Sequence, residues 1–173
     1  MSVDLNASIK LGVNTLKSSA SIIRKNVIES GRGKENPRVI SLATRIILLL
    51  EKIADVLESI SQRVSSVPEI VHLAPYTYIF QGNRDEIIIM RTRPEHVVIS
   101  VNSANNTVSL KSRRGLLEVS TNSLKIKARG VNIVLDLTNR EQYEEKLSEI
   151  RNALKIFESI VTRRLSILPR LRS

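Results

Sequence analysis

The spacing of the apolar residues changes twice along this chain, and that change limits its fold more than any other feature. Residues 3–30 and 37–65 repeat apolar side chains every three or four positions, which is typical of amphipathic helices. Residues 69–137 alternate apolar and polar side chains, as β-strands do. Helical spacing returns from residue 139. The sequence therefore predicts helices, then a block of strands, then a helix.

The first two helices are predicted to form an antiparallel hairpin. A short polar link runs from Gly31 to Glu35, and Asn36 before Pro37 is a favoured helix start. The first helix has one heptad stripe, whereas the second carries two stripes side by side. A wide apolar face packs against two or more elements, so the second helix needs a further partner. The stripe of the first helix consists of Ile9, Val13, Leu16, Ala20, Ile23 and Val27.

The wide face of the second helix has two explanations. Either all three predicted helices pack together within one chain, or the hairpin associates with another copy of the protein. Large exposed apolar patches are uncommon on monomers, which favours association and predicts a homo-oligomer. The residues assigned to self-association are Ile46, Leu49, Ile53, Val56 and Ile60.

The middle of the chain is predicted to be an antiparallel meander of seven or eight strands, forming a small barrel or a curved sheet. Turn signals such as Asn105-Asn106, Arg114-Gly115 and Arg129-Gly130 recur at short intervals. That spacing is too short for the crossover connections that parallel strands need. Strands are expected at 69–74, 76–81, 86–91, 96–102, 107–112, 116–121, 124–128 and 131–137.

A long C-terminal helix is predicted to follow the strands. Thr138 and Glu141 fit a capping box at its start. Its heptad positions are Tyr143, Leu147, Ile150, Leu154, Phe157 and Val161. The predicted fold class is therefore α+β, with a helical hairpin over residues 1–66 and a β-domain with a C-terminal helix over residues 67–173.

Few residues of this sequence fit catalysis or cofactor binding. There is no Cys, and the two His residues, His72 and His96, fall in different predicted strands. Metal-ligand spacings are absent, and the glycines at 31 and 33 do not form a phosphate-loop motif. We therefore predict a protein that is not an enzyme, with no catalytic residues, no cofactor and no metal.

The composition favours an intracellular protein with an anionic partner. No stretch resembles an export signal, and the longest apolar run is Ile46 to Leu50, whereas about 20 residues are needed to span a membrane. We expect a cytoplasmic location, and the Ile-rich, Cys-free composition is thermophile-like. The net charge of +10 favours nucleic acid or an acidic protein as the partner, ahead of a membrane surface.

The positive charge is spread along the chain, but strand pairing is expected to concentrate it. Alternate turns of a meander lie at the same end of the sheet, so the turns at 92–95, 113–115 and 129–130 share one end. We call this end the basic rim. Its residues are Arg91, Arg93, Lys111, Arg113, Arg114, Lys127 and Arg129.

The basic rim supports two functional hypotheses. Arginine binds phosphate oxygens through paired donors, so the first is an oligomeric architectural protein that binds the nucleic-acid backbone without base specificity. The alternative is a protein–protein interaction scaffold, cellular or viral, whose basic surface only keeps it soluble. Tyr76, Tyr78 and Phe80 alternate in one predicted strand, and they either pack in the core or stack on single-stranded bases.

Overall fold

The computed structural model describes residues 5–29, 36–62, 71–93 and 95–162. The helices are α1 (Leu5–Ile23), which continues as a π-helical segment (Arg24–Glu29), α2 (Pro37–Ser61), α3 (Arg140–Glu145) and α4 (Leu147–Ile160). The strands are β1 (Val71–Ala74), β2 (Thr77–Gln81), β3 (Glu86–Arg91), β4 (Val97–Asn102), β5 (Thr107–Ser112), β6 (Gly115–Val119), β7 (Ser123–Ala128) and β8 (Val131–Asp136). The predicted link at 31–35 and residues 69 and 70 of the first predicted strand lie outside the described residues.

The eight strands form one antiparallel sheet in which each strand pairs with its neighbours in sequence. Strands β1 and β8 lie at the two edges and do not pair with each other, so the sheet is open and not a closed barrel. The predicted α+β meander is confirmed. An unbroken aliphatic row crosses the inner face of the sheet through Ile79, Ile89, Ile99, Leu110, Leu117, Ile126 and Ile133, and all seven are buried.

Helices cover this inner face in two layers. Helix α1 contacts strands β3 to β6, and α4 contacts β7 and β8. Gly12 allows α1 to lie close to the sheet, because a Cβ atom there would be 2.9 Å from Cγ1 of Val101. Helix α2 contacts α1, α3 and α4 and forms the outer layer. Within the described residues, no helix is long and apolar enough to cross a membrane.

The wide apolar face of α2 is buried within one chain. Its five residues assigned to self-association, Ile46, Leu49, Ile53, Val56 and Ile60, are each at most 4% exposed. The C-terminal helices supply the second partner that the sequence required, so the exposed-area argument for another copy was wrong for these residues. A homo-oligomer stays a prediction. Residues on both sides of the predicted boundary at 66 and 67 share one core, and the division into two domains is likewise untested.

The C-terminal helix differs from the prediction at two points. Its backbone leaves helical geometry at Lys146, where φ is −107° and ψ is 17°, so α3 and α4 are separate segments. Asn139 is the N-cap, because its side chain accepts a hydrogen bond from the backbone N–H of Gln142. Thr138 instead donates its hydroxyl to Asp136 at 2.7 Å, so it does not form the predicted capping box with Glu141. This hydroxyl, together with the backbone N–H of Thr138, lowers the pKa of Asp136.

Helix α3 closes part of the open edge of β8. The side chain of Gln142 accepts a hydrogen bond from the N–H of Asp136 at 2.7 Å and donates one to the carbonyl of Val134 at 3.5 Å. The next residue, Tyr143, is buried and donates its hydroxyl to the carbonyl of Leu137 at 3.0 Å. Burial raises the pKa of this phenol. These bonds fix α3 at the end of β8.

Candidate nucleic-acid interface

The turns of the predicted basic rim lie together at one end of the sheet, as the meander topology requires. The β1–β2 turn, with Pro75 and Tyr76, lies at the same end. Tyr76 was not among the predicted rim residues, although the order of the turns was sufficient to place it there.

Five of the seven rim residues surround one pocket between the β5–β6 and β7–β8 turns. The pocket has a volume of about 510 Å³, and its basic lining residues are Lys111, Arg113, Arg114, Lys127 and Arg129. We call it the rim pocket. The floor of the pocket is on the outer face of the sheet. Its residues are neighbours in the strand register, because Lys111 pairs with Leu116 and Leu116 pairs with Lys127. The two other predicted rim residues, Arg91 and Arg93, are at the neighbouring β3–β4 turn and do not line the pocket.

A glycine allows the strands beneath the pocket to come close together. A Cβ atom at Gly115 would lie 2.5 Å from the carbonyl oxygen of Lys127 and 2.8 Å from Cβ of Ala128. The ring of Phe157 on α4 lies behind it, at 3.1 Å from the same position. Any side chain at residue 115 would therefore push β6 away from β7 or from α4.

The backbone at this end of the sheet is strained. Arg129 has φ 52° and Gly130 has φ 77°, the positive angles of a tight hairpin turn. Tyr76 also has a positive φ, of 61°. Large side chains rarely adopt this conformation, and such strain is concentrated at binding and catalytic sites in proteins generally.

Three of the rim arginines already have partners within the protein. Arg114 donates hydrogen bonds from Nε and Nη2 to the carboxylate of Glu95, at 3.0 and 2.9 Å. The guanidinium of Arg93 lies 5.4 Å from the ring centre of Tyr76, which is a cation–π distance. Arg91 donates from Nε to the carbonyl of Arg93 at 2.8 Å. These contacts join the β1–β2, β3–β4 and β5–β6 turns.

The other four rim cations have no acidic partner among the residues that the structure describes. No carboxylate of the described chain lies within ion-pair distance of Lys111, Arg113, Lys127 or Arg129. All four side chains are exposed around the rim pocket. The pocket therefore presents four uncompensated positive charges and the guanidinium of Arg114, whose charge Glu95 balances. The sequence identified the cations of the rim but not which of them has an acidic partner, because it did not show which turn would approach Glu95.

The aromatic residues of β2 lie outside the core. Thr77 and Ile79 are buried on the inner face, whereas Tyr78 and Phe80 are on the opposite, outer face and are partly exposed. The alternative in which this strand packs its aromatic residues into the core is thus wrong. Tyr76, in the preceding turn, is 47% exposed.

No group of three or more His, Cys, Asp or Glu residues in the described parts of the chain is placed to hold a metal ion. No family model matches the chain, and no curated protein and no solved structure matches it at a significant level. The chemistry of the rim pocket therefore carries the functional argument. The absence of enzymatic activity, of a cofactor and of a bound metal, and the cytoplasmic location, stay predictions.

Proposed function

We propose that this protein is a non-enzymatic architectural protein that binds the phosphate backbone of nucleic acid at the rim pocket. The observation that carries the proposal is a set of four exposed cations around one pocket of about 510 Å³, none of which has an acidic partner among the described residues. Arg113 and Arg129 would each offer paired N–H donors to two phosphate oxygens, and Lys111 and Lys127 would add point charges. One chain forms the whole pocket, so binding does not require the predicted oligomer.

Binding without base specificity fits the position of these charges. The cations are at strand ends and turn tips, and in the described part of the chain no helix or two-stranded ribbon projects from this end to enter a major groove. Phosphate contacts fix the position of a protein on nucleic acid but carry no direct sequence information. Affinity should therefore depend on salt far more than on base sequence.

The second candidate is a protein–protein interaction scaffold, and one observation favours it. Leu48, on the outer side of α2, is 50% exposed, and it lines a shallow pocket with Lys52 and the ion pair between Arg45 and Glu158. An exposed leucine beside charged residues suits a protein contact. This surface lies between α2 and the end of α4 and shares no residue with the rim pocket, so the two candidates can be tested independently.

Fluorescence anisotropy with a labelled DNA duplex and a labelled single strand at two salt concentrations tests the proposal. For four phosphate contacts with the duplex, log K should fall with log salt at a slope of about −3.6. The variant Arg113→Glu/Arg129→Glu should bind at least about tenfold more weakly, because two attractive contacts become repulsive.

The matched control is Arg84→Glu/Lys155→Glu, which makes the same change in net charge at exposed residues outside the rim. This control should keep most of the wild-type affinity. Equal losses in the two variants would show that only net charge matters, and no binding of either the duplex or the single strand by the wild type at low salt would overturn the proposal. A labelled acidic protein bound through Leu48 would then support the scaffold.

A further inference from the structure

We infer that the nucleic acid is single-stranded, with its bases stacked on Tyr78 and Phe80 and its backbone running across the outer face of the sheet to the rim pocket. This inference rests on the proposed function and names the form of nucleic acid that the same site binds. It depends on the outer face of the sheet, on which no helix of the described residues packs.

The outer face has two chemically different halves. Strands β2 to β4 present partly exposed apolar side chains, namely Tyr78, Phe80, Ile88, Met90 and Val98. Strands β5 to β7 present Lys111, Lys125 and Lys127. A single strand of nucleic acid has the same two properties, because its bases have apolar faces and its backbone is anionic. In a duplex the base faces are stacked and cannot contact the apolar half.

One register row joins the two halves. Tyr78 pairs with Met90, Met90 with Val98 and Val98 with Lys111. The row then continues through Leu116 and Lys127 on the floor of the rim pocket. Neighbouring strands are about 4.8 Å apart, so Tyr78 lies about 14 Å from Lys111 along a row without an acidic side chain.

The acidic residues of this face lie in other rows. Glu86 accepts a hydrogen bond from the hydroxyl of Ser100 at 2.6 Å, and Glu118 lies opposite Lys125 in the strand register. An anionic backbone that followed the row from Tyr78 to Lys127 would therefore meet cations and apolar side chains along that row.

The spacing of the two aromatic rings also favours a single strand. Residues two apart in a strand are about 6.6 Å apart, roughly twice the 3.4 Å rise between stacked bases in a duplex. Two adjacent bases would have to separate to stack on both Tyr78 and Phe80, which a flexible single strand permits. At the rim, Tyr76 with Arg93 over its ring adds a third aromatic group at the same end as the pocket.

The test compares a labelled 15-residue oligothymidine strand with a duplex of the same length, by anisotropy on the intact protein. The variant Tyr78→Leu/Phe80→Leu keeps apolar bulk on the outer face but removes both rings. We expect the wild type to prefer the single strand by at least about tenfold, and the variant to lose about tenfold per ring for the single strand alone. The slope of log K against log salt should be unchanged, because no cation is removed.

The matched control is Val134→Ala, on the exposed outer face of β8 away from the aromatic half, which should leave both affinities unchanged. Ultraviolet cross-linking of the oligothymidine to wild-type protein gives a second measurement that needs no variant, and cross-links should map to β2. Equal binding of strand and duplex, with no effect of the ring substitutions and no cross-link to β2, would overturn the inference and leave the rim proposal standing. No binding of either form would overturn both.

Discussion

The two ends of the sheet use their polar side chains differently. At the end opposite the basic rim, side chains bond to the turns that carry them. Asn102 accepts hydrogen bonds from the backbone N–H groups of Ala104 and Asn105, at 3.0 and 3.4 Å, and the hydroxyls of Ser120 and Ser123 bond to each other at 2.6 Å. At the basic rim, Arg91 and Ser112 also bond to their turns, but four cations remain without an acidic partner in the described structure. The turns of this protein therefore do not in general need charged side chains for their stability. This favours a binding role for the cations of the rim.

Backbone strain separates the two ends in the same way. Asn106, at the opposite end, has φ 54°, and asparagine tolerates that conformation because its short side chain can bond locally. Arg129, at the basic rim, has φ 52° without that advantage. An arginine kept in an unfavourable conformation is expected where its guanidinium has a function that asparagine cannot perform.

Two glycines provide the strongest test of this contrast. Gly115→Ala should lower the free energy of unfolding by about 1–3 kcal/mol, because the new methyl group meets the backbone oxygen of Lys127. Gly82→Ala, at the opposite end, should change it by less than about 1 kcal/mol, because the groups nearest to its Cβ are the ends of the side chains of Glu86 and Ile88. Urea denaturation of both variants measures the difference. Equal losses of unfolding free energy in the two variants would show that both ends tolerate an added methyl group equally well.

Exchanging the residue types at the two positive-φ positions should change the free energy of unfolding by about 1 kcal/mol, with opposite signs at the two ends. Arg129→Asn should stabilise the protein and weaken nucleic-acid binding, whereas Asn106→Arg should destabilise it and leave binding nearly unchanged. Melting temperatures and anisotropy on the same samples separate the two properties. A loss of stability in Arg129→Asn would contradict the assignment of strain to the rim.

The smallest expected effect is at the ion pair of the rim. Glu95→Gln frees Arg114, so the slope of log K against log salt should become steeper by about 0.9. The free energy of unfolding should fall by about 1 kcal/mol or less, because Arg114 is 43% exposed in this pair. Glu86→Gln, at the opposite end, makes the same change in charge and should leave the slope as it was. A steeper slope in both variants would mean that net charge and not Arg114 is responsible.

The sequence was sufficient to predict the topology and the basic rim. Alternation on strands such as β4, β5 and β7, with short turns between them, permits only a meander, and a meander fixes which turns lie together. The confirmed strand pairs then bring Lys111 and Lys127 to the same pocket. The rim was predictable because it follows from strand order alone.

Features that depend on contacts between distant segments were not predictable in this way. Strand β3 has consecutive isoleucines at 87, 88 and 89, and β2 has its aromatic residues on the face opposite Ile79, so apolar residues occur on both faces. Alternation alone could not decide which face the helices cover. The second partner of α2 was also hidden, because α4 follows it in sequence only after the whole sheet. The pairing of Glu95 with Arg114 could not be predicted either, because it depends on the distance between the β3–β4 and β5–β6 turns.

The side chain of Gln142 has a consequence for how separate molecules meet. An open sheet has edges at which unpaired peptide groups can recruit a strand from another molecule, and such growth has no natural end. The amide of Gln142 has the donor and acceptor of a peptide group. It bonds to the outward-facing carbonyl of Val134 and N–H of Asp136. Part of the β8 edge therefore has a terminating group within its own chain, which opposes fibre growth from that edge.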